Sequence, residues 1–160
     1  MADGAEPFSS VPPPALCSER VLFYAVLDES VGYNAGHRLI FVNGKELGKV
    51  PYLAICQGKE TSKFIAYYCD GDWQPIAISA FDTVETAKRR AEHIYPGSSA
   101  KWVEAHFTEE DVTRYLDEIW ADLRCSFCGK RPDQNVESII EAKDGSARIC
   151  EKCVAEFSRK

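Results

Sequence analysis

The chain has 160 residues, of which 45% are hydrophobic and 28% are charged, and its formal net charge is −6. This composition is that of a globular protein and excludes the fibrous and the fully disordered classes. The N-terminal sequence lacks the basic and apolar regions of a signal peptide, and no stretch approaches the roughly 20 apolar residues of a membrane span. We therefore expect a cytoplasmic protein without a membrane segment.

Three segments are predicted along the chain. Residues 1–18 are rich in proline, serine and alanine, and Pro12-Pro13-Pro14 excludes both helix and central strand, so a flexible arm is predicted there. Residues 19–122 are predicted to form an α+β domain, a mostly antiparallel sheet with two helices. Residues 123–160 are too few to bury a core of their own, and a small metal-stapled finger is predicted for them.

Short β-prone apolar runs follow one another between turn signals, as in an antiparallel meander. Asn43-Gly44 and Asp70-Gly71-Asp72 are the clearest turns, and Gly44–Val50 is interpreted as a lysine-rich surface turn because it departs from a phosphate-binding loop at two positions. The predicted strands cover residues 21–27, 38–42, 52–56, 64–69, 76–81 and 102–107.

Two helices are predicted in the same domain. Asp82 with Glu85 has the spacing of a capping box at the first, and Thr108 with Asp111 forms a similar pair at the second. Each helix has one apolar face, and for the second helix packing on the domain's own sheet is favoured over binding to a partner. The faces consist of Val84, Ala87, Ala91 and Ile94 in the first helix, and of Val112, Tyr115, Leu116, Ile119, Trp120 and Leu123 in the second.

Four cysteines form two C-x2-C pairs, Cys125 with Cys128 and Cys150 with Cys153. Two such pairs complete a tetrahedron of thiolates around one Zn²⁺ and leave no open coordination position, which indicates a structural ion. Spacing alone leaves an iron centre with the same ligands open, and redox activity of a single pair is less consistent with the pattern. Between the pairs, Asp144-Gly145 predicts a hairpin turn, and the second pair begins a helix over 151–157, the layout of a treble-clef finger.

The residues around these cysteines resemble a known module. Cys125–Lys130 (CSFCGK) and Ile149–Val154 (ICEKCV), with Val136 and Ile139-Ile140 between them, resemble the four-cysteine zinc-binding domain of the ClpX unfoldase. In ClpX the module precedes an ATPase, whereas here it ends the given sequence, and the insert between the pairs is slightly longer. The resemblance implies a module that forms dimers and docks proteins through an apolar surface, with Phe127, Val154 and Phe157 as the partner-binding residues.

The predicted function is therefore that of a non-enzymatic adaptor, regulator or inhibitor of another protein, with one purely structural Zn²⁺ and with a homodimer through the finger as a further expectation. The alternative is a small enzyme with a pocket in the N-terminal domain, which requires that His37, Cys69, Asp70, His93 or His106 converge in one cleft. A third reading, nucleic-acid binding, is disfavoured because residues 121–160 carry eight Lys/Arg against seven Asp/Glu.

Overall fold

The computed structural model describes residues 9–35, 40–132, 134 and 136–159, which belong to two compact units, Met1–Val112 and Thr113–Lys160. The domain boundaries predicted from the sequence stay predictions. In chain order the strands are β1 (Ala15–Leu16), β2 (Glu19–Val26), β3 (Phe41–Val42), β4 (Lys45–Glu46), β5 (Tyr52–Gln57), β6 (Phe64–Cys69), β7 (Pro75–Phe81), β8 (Trp102–Glu104), β9 (Ile139–Glu141) and β10 (Arg148–Cys150). The helices are α1 (Val84–Ile94), α2 (Glu109–Ile119) and α3 (Glu151–Phe157).

The first unit is built on one antiparallel sheet with the strand order β1-β2-β5-β6-β7, and β8 also pairs with β2. β5, β6 and β7 are consecutive antiparallel neighbours, which confirms the predicted meander. The α+β fold class with a mostly antiparallel sheet is therefore confirmed. Among the described residues, no helix is both long and apolar enough to cross a membrane.

The first unit has a core on each face of this sheet. On one face, α1 places Ala91 and Ile94 against sheet residues that include Ala25, Leu53 and Tyr68. The opposite face buries a second cluster. Its members are Leu16, Val21, Ala54, Cys56, Tyr67, Cys69 and Trp73. Cys56 and Cys69 are completely buried here, and burial raises the pKa of Cys69 to about 12.

The N-terminal segment differs from its prediction within the described residues. Residues 1–8 lie outside the described part, but Ala15 and Leu16 form β1 and are buried instead of belonging to a flexible arm. Cys17 and Ser18 adopt positive φ angles of 47° and 67°, which turns the chain back so that β1 pairs with the start of β2. Neither residue is a glycine, so the sequence carries no simple signal for this turn.

The turn between β6 and β7 confirms the predicted turn chemistry. The Asp70 carboxylate accepts hydrogen bonds from the amides of Asp72 and Gln74, both at 2.9 Å. Trp73 takes a positive φ of 61° in this turn. Its ring stacks on Tyr52 with centroids 4.3 Å apart, and its indole N–H donates to the carbonyl of Ser9 at 2.8 Å.

The predicted helix cap is confirmed for α2 and wrong for α1. The Thr108 amide donates to the Asp111 carboxylate at 2.8 Å, while the Asp111 amide donates to the Thr108 hydroxyl at 3.1 Å, as predicted. At α1 the cap is Thr83, whose hydroxyl accepts from the Thr86 amide, whereas Asp82 pairs with Lys63. A threonine one position later meets the same need for an acceptor at the helix start.

Three further segments differ in extent from their predictions. The strand expected over 102–107 ends at Glu104. Of the strand expected over 38–42, residues 38 and 39 lie outside the described part and Phe41–Val42 is a strand. The segment interpreted as a surface turn after Gly44 contains β4, which pairs with β3 across the predicted Asn43-Gly44 turn. The apolar face of α2 is buried at Val112 and Leu116, whereas Ile119 and Leu123 are exposed.

Replacing Glu92 by glutamine is expected to lower the free energy of unfolding of the first unit by about 1 kcal/mol at neutral pH. The carboxylate accepts from the amides of Gly97 and Ser99 at 2.9 and 2.8 Å, and these bonds hold the pKa of Glu92 below its ordinary value of 4.5. Because the folded state has the lower pKa, this stabilisation is present above pH 4.5 and is lost as the pH falls through the folded-state pKa.

Urea denaturation of the wild type and of Glu92→Gln, followed by the amide signals of α1, measures this difference. The difference should shrink when the comparison is repeated below pH 4.5. A difference that is unchanged by acidification would show that the negative charge of Glu92 is not the source of the effect.

Candidate metal centre

In the second unit the two cysteine pairs lie on different structural elements. Cys125 and Cys128 lie in a tight turn, where the Gly129 amide donates to the Cys125 carbonyl at 2.9 Å and Gly129 takes a φ of 73°. Such an angle favours glycine because a Cβ would be crowded there. Cys150 ends β10 and is the N-cap of α3, and Cys153 lies in the first turn of that helix.

Two hydrogen bonds, each donated by a backbone amide, connect the turn to the hairpin. The Ser126 amide donates to the Arg148 carbonyl at 2.8 Å, and the Arg148 amide donates to the Ser126 hydroxyl at 2.9 Å. Arg148 begins β10, which pairs with β9 in the predicted hairpin around Asp144-Gly145. The predicted layout of turn, hairpin and ligand-bearing helix is therefore present.

The four sulfurs form a cluster of the size that one zinc ion requires. All four lie within 4.8 Å of one another. The sulfurs of Cys125 and Cys153 are 3.8 Å apart, and those of Cys128 and Cys150 are 3.7 Å apart. A tetrahedron with Zn–S bonds of about 2.3 Å has S···S edges of about 3.8 Å. The four cysteines are positioned to bind one Zn²⁺.

The surroundings of Cys125 favour the thiolate that a metal needs. Burial of the Cys125 sulfur acts to raise its pKa, but backbone amides that donate to it, first that of Cys128, lower the pKa to about 6. The Cys150 amide is one of these donors, at 3.4 Å. The amide of Cys150, the N-cap of α3, thus contributes to stabilising negative charge on the Cys125 sulfur.

Little apolar surface supports this centre. Among the described residues, Cys125, Cys150 and Cys153 form the buried cluster, and the side chains that pack on it are Val136, Ile139 and Ile149, each of them half-buried. Glu151 adds a polar fastening, because its carboxylate accepts from the amides of Glu137 and Ser138 at 2.9 and 3.1 Å. These bonds join the start of the hairpin to the helix that carries Cys153.

Arg131 is a buried residue of this unit that the sequence analysis did not single out. Its guanidinium donates to the Asp117 carboxylate at 2.6 Å and to the Thr113 carbonyl at 3.3 Å. Arg124 binds the same carboxylate. These contacts fasten the residues that follow the first cysteine pair to the second half of α2. No local sequence pattern indicates such a pairing, because its two sides are far apart in the chain.

The geometry of a closed four-thiolate centre on a turn, a hairpin and a helix agrees with the comparison against protein families. Residues 123–159 match the family model of the ClpX C4-type zinc finger. The resemblance predicted from the sequence is confirmed for this segment. No curated protein and no solved structure matches the chain significantly.

The residues expected to bind a partner lie on the surface of the ClpX-type finger. Phe127 stands between the first two ligands, and Phe157 stands in α3 four residues beyond Cys153. They are 59% and 54% exposed, and their rings meet edge to face with centroids 5.5 Å apart. Val154 is half-buried in α3, three residues before Phe157. The contact between the two rings is tertiary, so the spacing of the residues did not predict it.

The residues considered for catalysis are not gathered into one cleft in the described part of the chain. Cys69 is buried on the sheet face opposite α1, whereas His93 lines an open cavity beside α1 that contains neither Asp70 nor His106. His37 lies outside the described residues. Within the described residues, the four zinc ligands are the one metal-binding cluster of His, Cys, Asp or Glu side chains.

Proposed function

We propose that this chain is a protein-interaction protein, an adaptor, regulator or inhibitor of another protein, whose zinc finger docks the partner while the zinc is purely structural. A complete shell of four thiolates leaves the ion no position for a substrate. Formation of the metal centre supplies the folding free energy that this small apolar core lacks.

The exposed pair of Phe127 and Phe157 is the observation that carries this proposal. Large aromatic residues are enriched in protein interfaces, where they contribute much of the binding energy. Here two rings are more than half exposed, and they contact each other edge to face with centroids 5.5 Å apart. A preorganised aromatic surface loses little entropy on binding. We also propose that the protein forms a homodimer through the same surface. Its proposed location is the cytoplasm.

We expect the double variant Phe127→Ala/Phe157→Ala to bind its protein partner about tenfold or more weakly than the wild type, because both anchors are removed. Affinity purification of the full chain from native cell extract, quantified by mass spectrometry, measures partner recovery. Ile140→Ala is the matched control, since Ile140 is 61% exposed on the hairpin of the same finger and does not belong to the aromatic pair. Zinc content of all three proteins verifies that the finger is intact.

If the double variant recovered as much partner as the wild type, the aromatic pair would not belong to the binding surface. If Cys125→Ser, which lacks one zinc ligand, also recovered the same partners, the first unit and not the finger would be the partner-binding part. Sedimentation analysis of the same proteins tests the dimer, which should dissociate in the double variant and persist in Ile140→Ala.

A further inference from the structure

The first unit presents a groove where the sheet ends. β7 is the last strand of the order β1-β2-β5-β6-β7, and α1 packs against β6 and β7. Along this edge lies an open cavity of about 380 Å³. Its lining combines the ring of Phe81 from β7 with one side of α1, contributed by Thr86, Arg89, Arg90 and His93.

The outer edge of β7 is not paired with any strand in the described part of the chain. β7 is seven residues long and contains no charged residue. Natural proteins usually protect such an edge with charged residues, a bulge or very short length. Pro75 and a register shift opposite Tyr68 and Cys69 interrupt the start of β7, whereas residues 77–81 pair regularly with β6 and have none of these features. An extended segment of chain can therefore add to it by backbone hydrogen bonds.

The two faces of β7 differ in character. Ala77 and Phe81 pack against the core beneath α1, so odd-numbered residues of the strand face the helix. Ile76 and Ile78 point to the opposite face and are exposed, Ile78 by 62%. Because successive side chains of an added strand also alternate, its residues would meet α1 on one side and the isoleucines on the other.

The helix side of the groove is basic within an acidic part of the chain. Residues 1–120 carry eleven Lys/Arg against eighteen Asp/Glu, yet Arg89 and Arg90 of α1 both line the cavity, whereas the Lys88 ammonium lies over the ring of Phe23. Arg89 is exposed at the cavity. Charge complementarity with Arg89 and Arg90 favours carboxylates over basic side chains opposite this side of the groove.

We propose that this edge, formed by β7 and α1, is a docking site for an extended acidic segment of another protein, which binds antiparallel or parallel to β7 as an additional strand. The segment alternates acidic residues, which face Arg89, with apolar residues, which cover Ile76 and Ile78. This site belongs to the first unit, so it does not depend on partner binding by the zinc finger.

Fluorescence anisotropy of the zinc-loaded full chain with a labelled peptide of about nine residues, in which glutamate alternates with isoleucine, tests the proposal. We expect saturable binding that weakens with added salt and that falls about tenfold or more in Arg89→Glu. Lys45→Glu is the matched control, because it makes the same charge change at an exposed position of β4 and should bind as the wild type does.

The backbone contribution is tested with two N-methylated peptides, each methylated on alternate amides in one of the two phases. Only one phase of amides points at β7 in an added strand, so one peptide should lose binding and the other should retain it. Equal binding of both peptides, or of a peptide with lysine in place of glutamate, would overturn the proposal.

Other occupants of the edge have separate outcomes in the same experiment. If the peptide binds only after removal of residues 1–8, the chain's own N-terminal segment occupies the edge and the proposal of an external partner fails. If sedimentation shows a dimer that the peptide dissociates and that Ile78→Glu abolishes, a second copy occupies the edge and the proposal also fails. The double variant Phe127→Ala/Phe157→Ala should lose the partner of the finger but still bind the peptide. The two proposals can therefore fail independently.

Discussion

Removal of the metal is expected to unfold the zinc finger while the sheet of the first unit stays folded. In the part of the finger that the structure describes, the buried cluster consists of three of its own zinc ligands, and three half-buried aliphatic side chains pack on it. A structural zinc site contributes about 10–16 kcal/mol of apparent binding free energy, far more than so small an apolar core supplies.

Heteronuclear NMR of the full chain before and after treatment with a zinc chelator measures this result. Amide signals from residues 136–157 should collapse to the positions of an unfolded chain, whereas those from β5, β6 and α1 should keep their dispersion. Metal analysis should give one zinc per chain before treatment. Cys150→Ser should reproduce the unfolded finger, and Cys17→Ser should not, because Cys17 is an exposed thiol in the β1–β2 turn. Retained dispersion in the chelated finger would show that its fold does not require metal.

Replacing Ile94 by alanine is expected to lower the free energy of unfolding of the first unit by about 2–5 kcal/mol. Ile94 is 1% exposed and packs in the core between α1 and the sheet, beside Tyr95 and Tyr68. The substitution removes buried methyl groups and leaves a cavity that the rigid sheet cannot fill. A domain of this size has about 5–15 kcal/mol of total stability, so the loss is a large fraction of it.

Ile78→Ala provides the matched comparison, since it deletes the same atoms from an exposed position of β7. Urea denaturation followed by tryptophan fluorescence should give a reduced midpoint for Ile94→Ala and a midpoint close to wild type for Ile78→Ala. Equal destabilisation by the two substitutions would contradict the placement of Ile94 in the core and of Ile78 on the surface.

The features that the sequence predicted well are those that depend on neighbouring residues. The zinc ligands follow from C-x2-C spacing, and the cap of α2 follows from Thr108 and Asp111, three positions apart. The strand over Phe64–Cys69 was predicted with its bounds, because a continuous apolar run there ends at a strong turn signal. Local geometry determines each of these features, so a short stretch of sequence contains the information for them.

Features that depend on residues distant in the chain were not predictable in this way. β1 has only two residues, and it pairs with β2 through a turn of non-glycine residues with positive φ, so no periodicity indicates it. The pairing of Arg131 with Asp117 and the contact of Phe127 with Phe157 are tertiary. The position of β7 at the sheet edge follows from strand order, which one sequence does not determine.

Trp73 imposes a constraint on how this protein can vary during evolution. Its backbone angle would suit glycine or asparagine, whereas its ring fills the space against Tyr52 and anchors the chain at Ser9. A small residue would relieve the backbone and empty the cluster, and another large apolar residue would retain the strain and lose the indole donor. No single substitution satisfies both demands. We therefore expect Trp73 to change only together with the residues that it contacts in the turn, the N-terminal segment and the sheet.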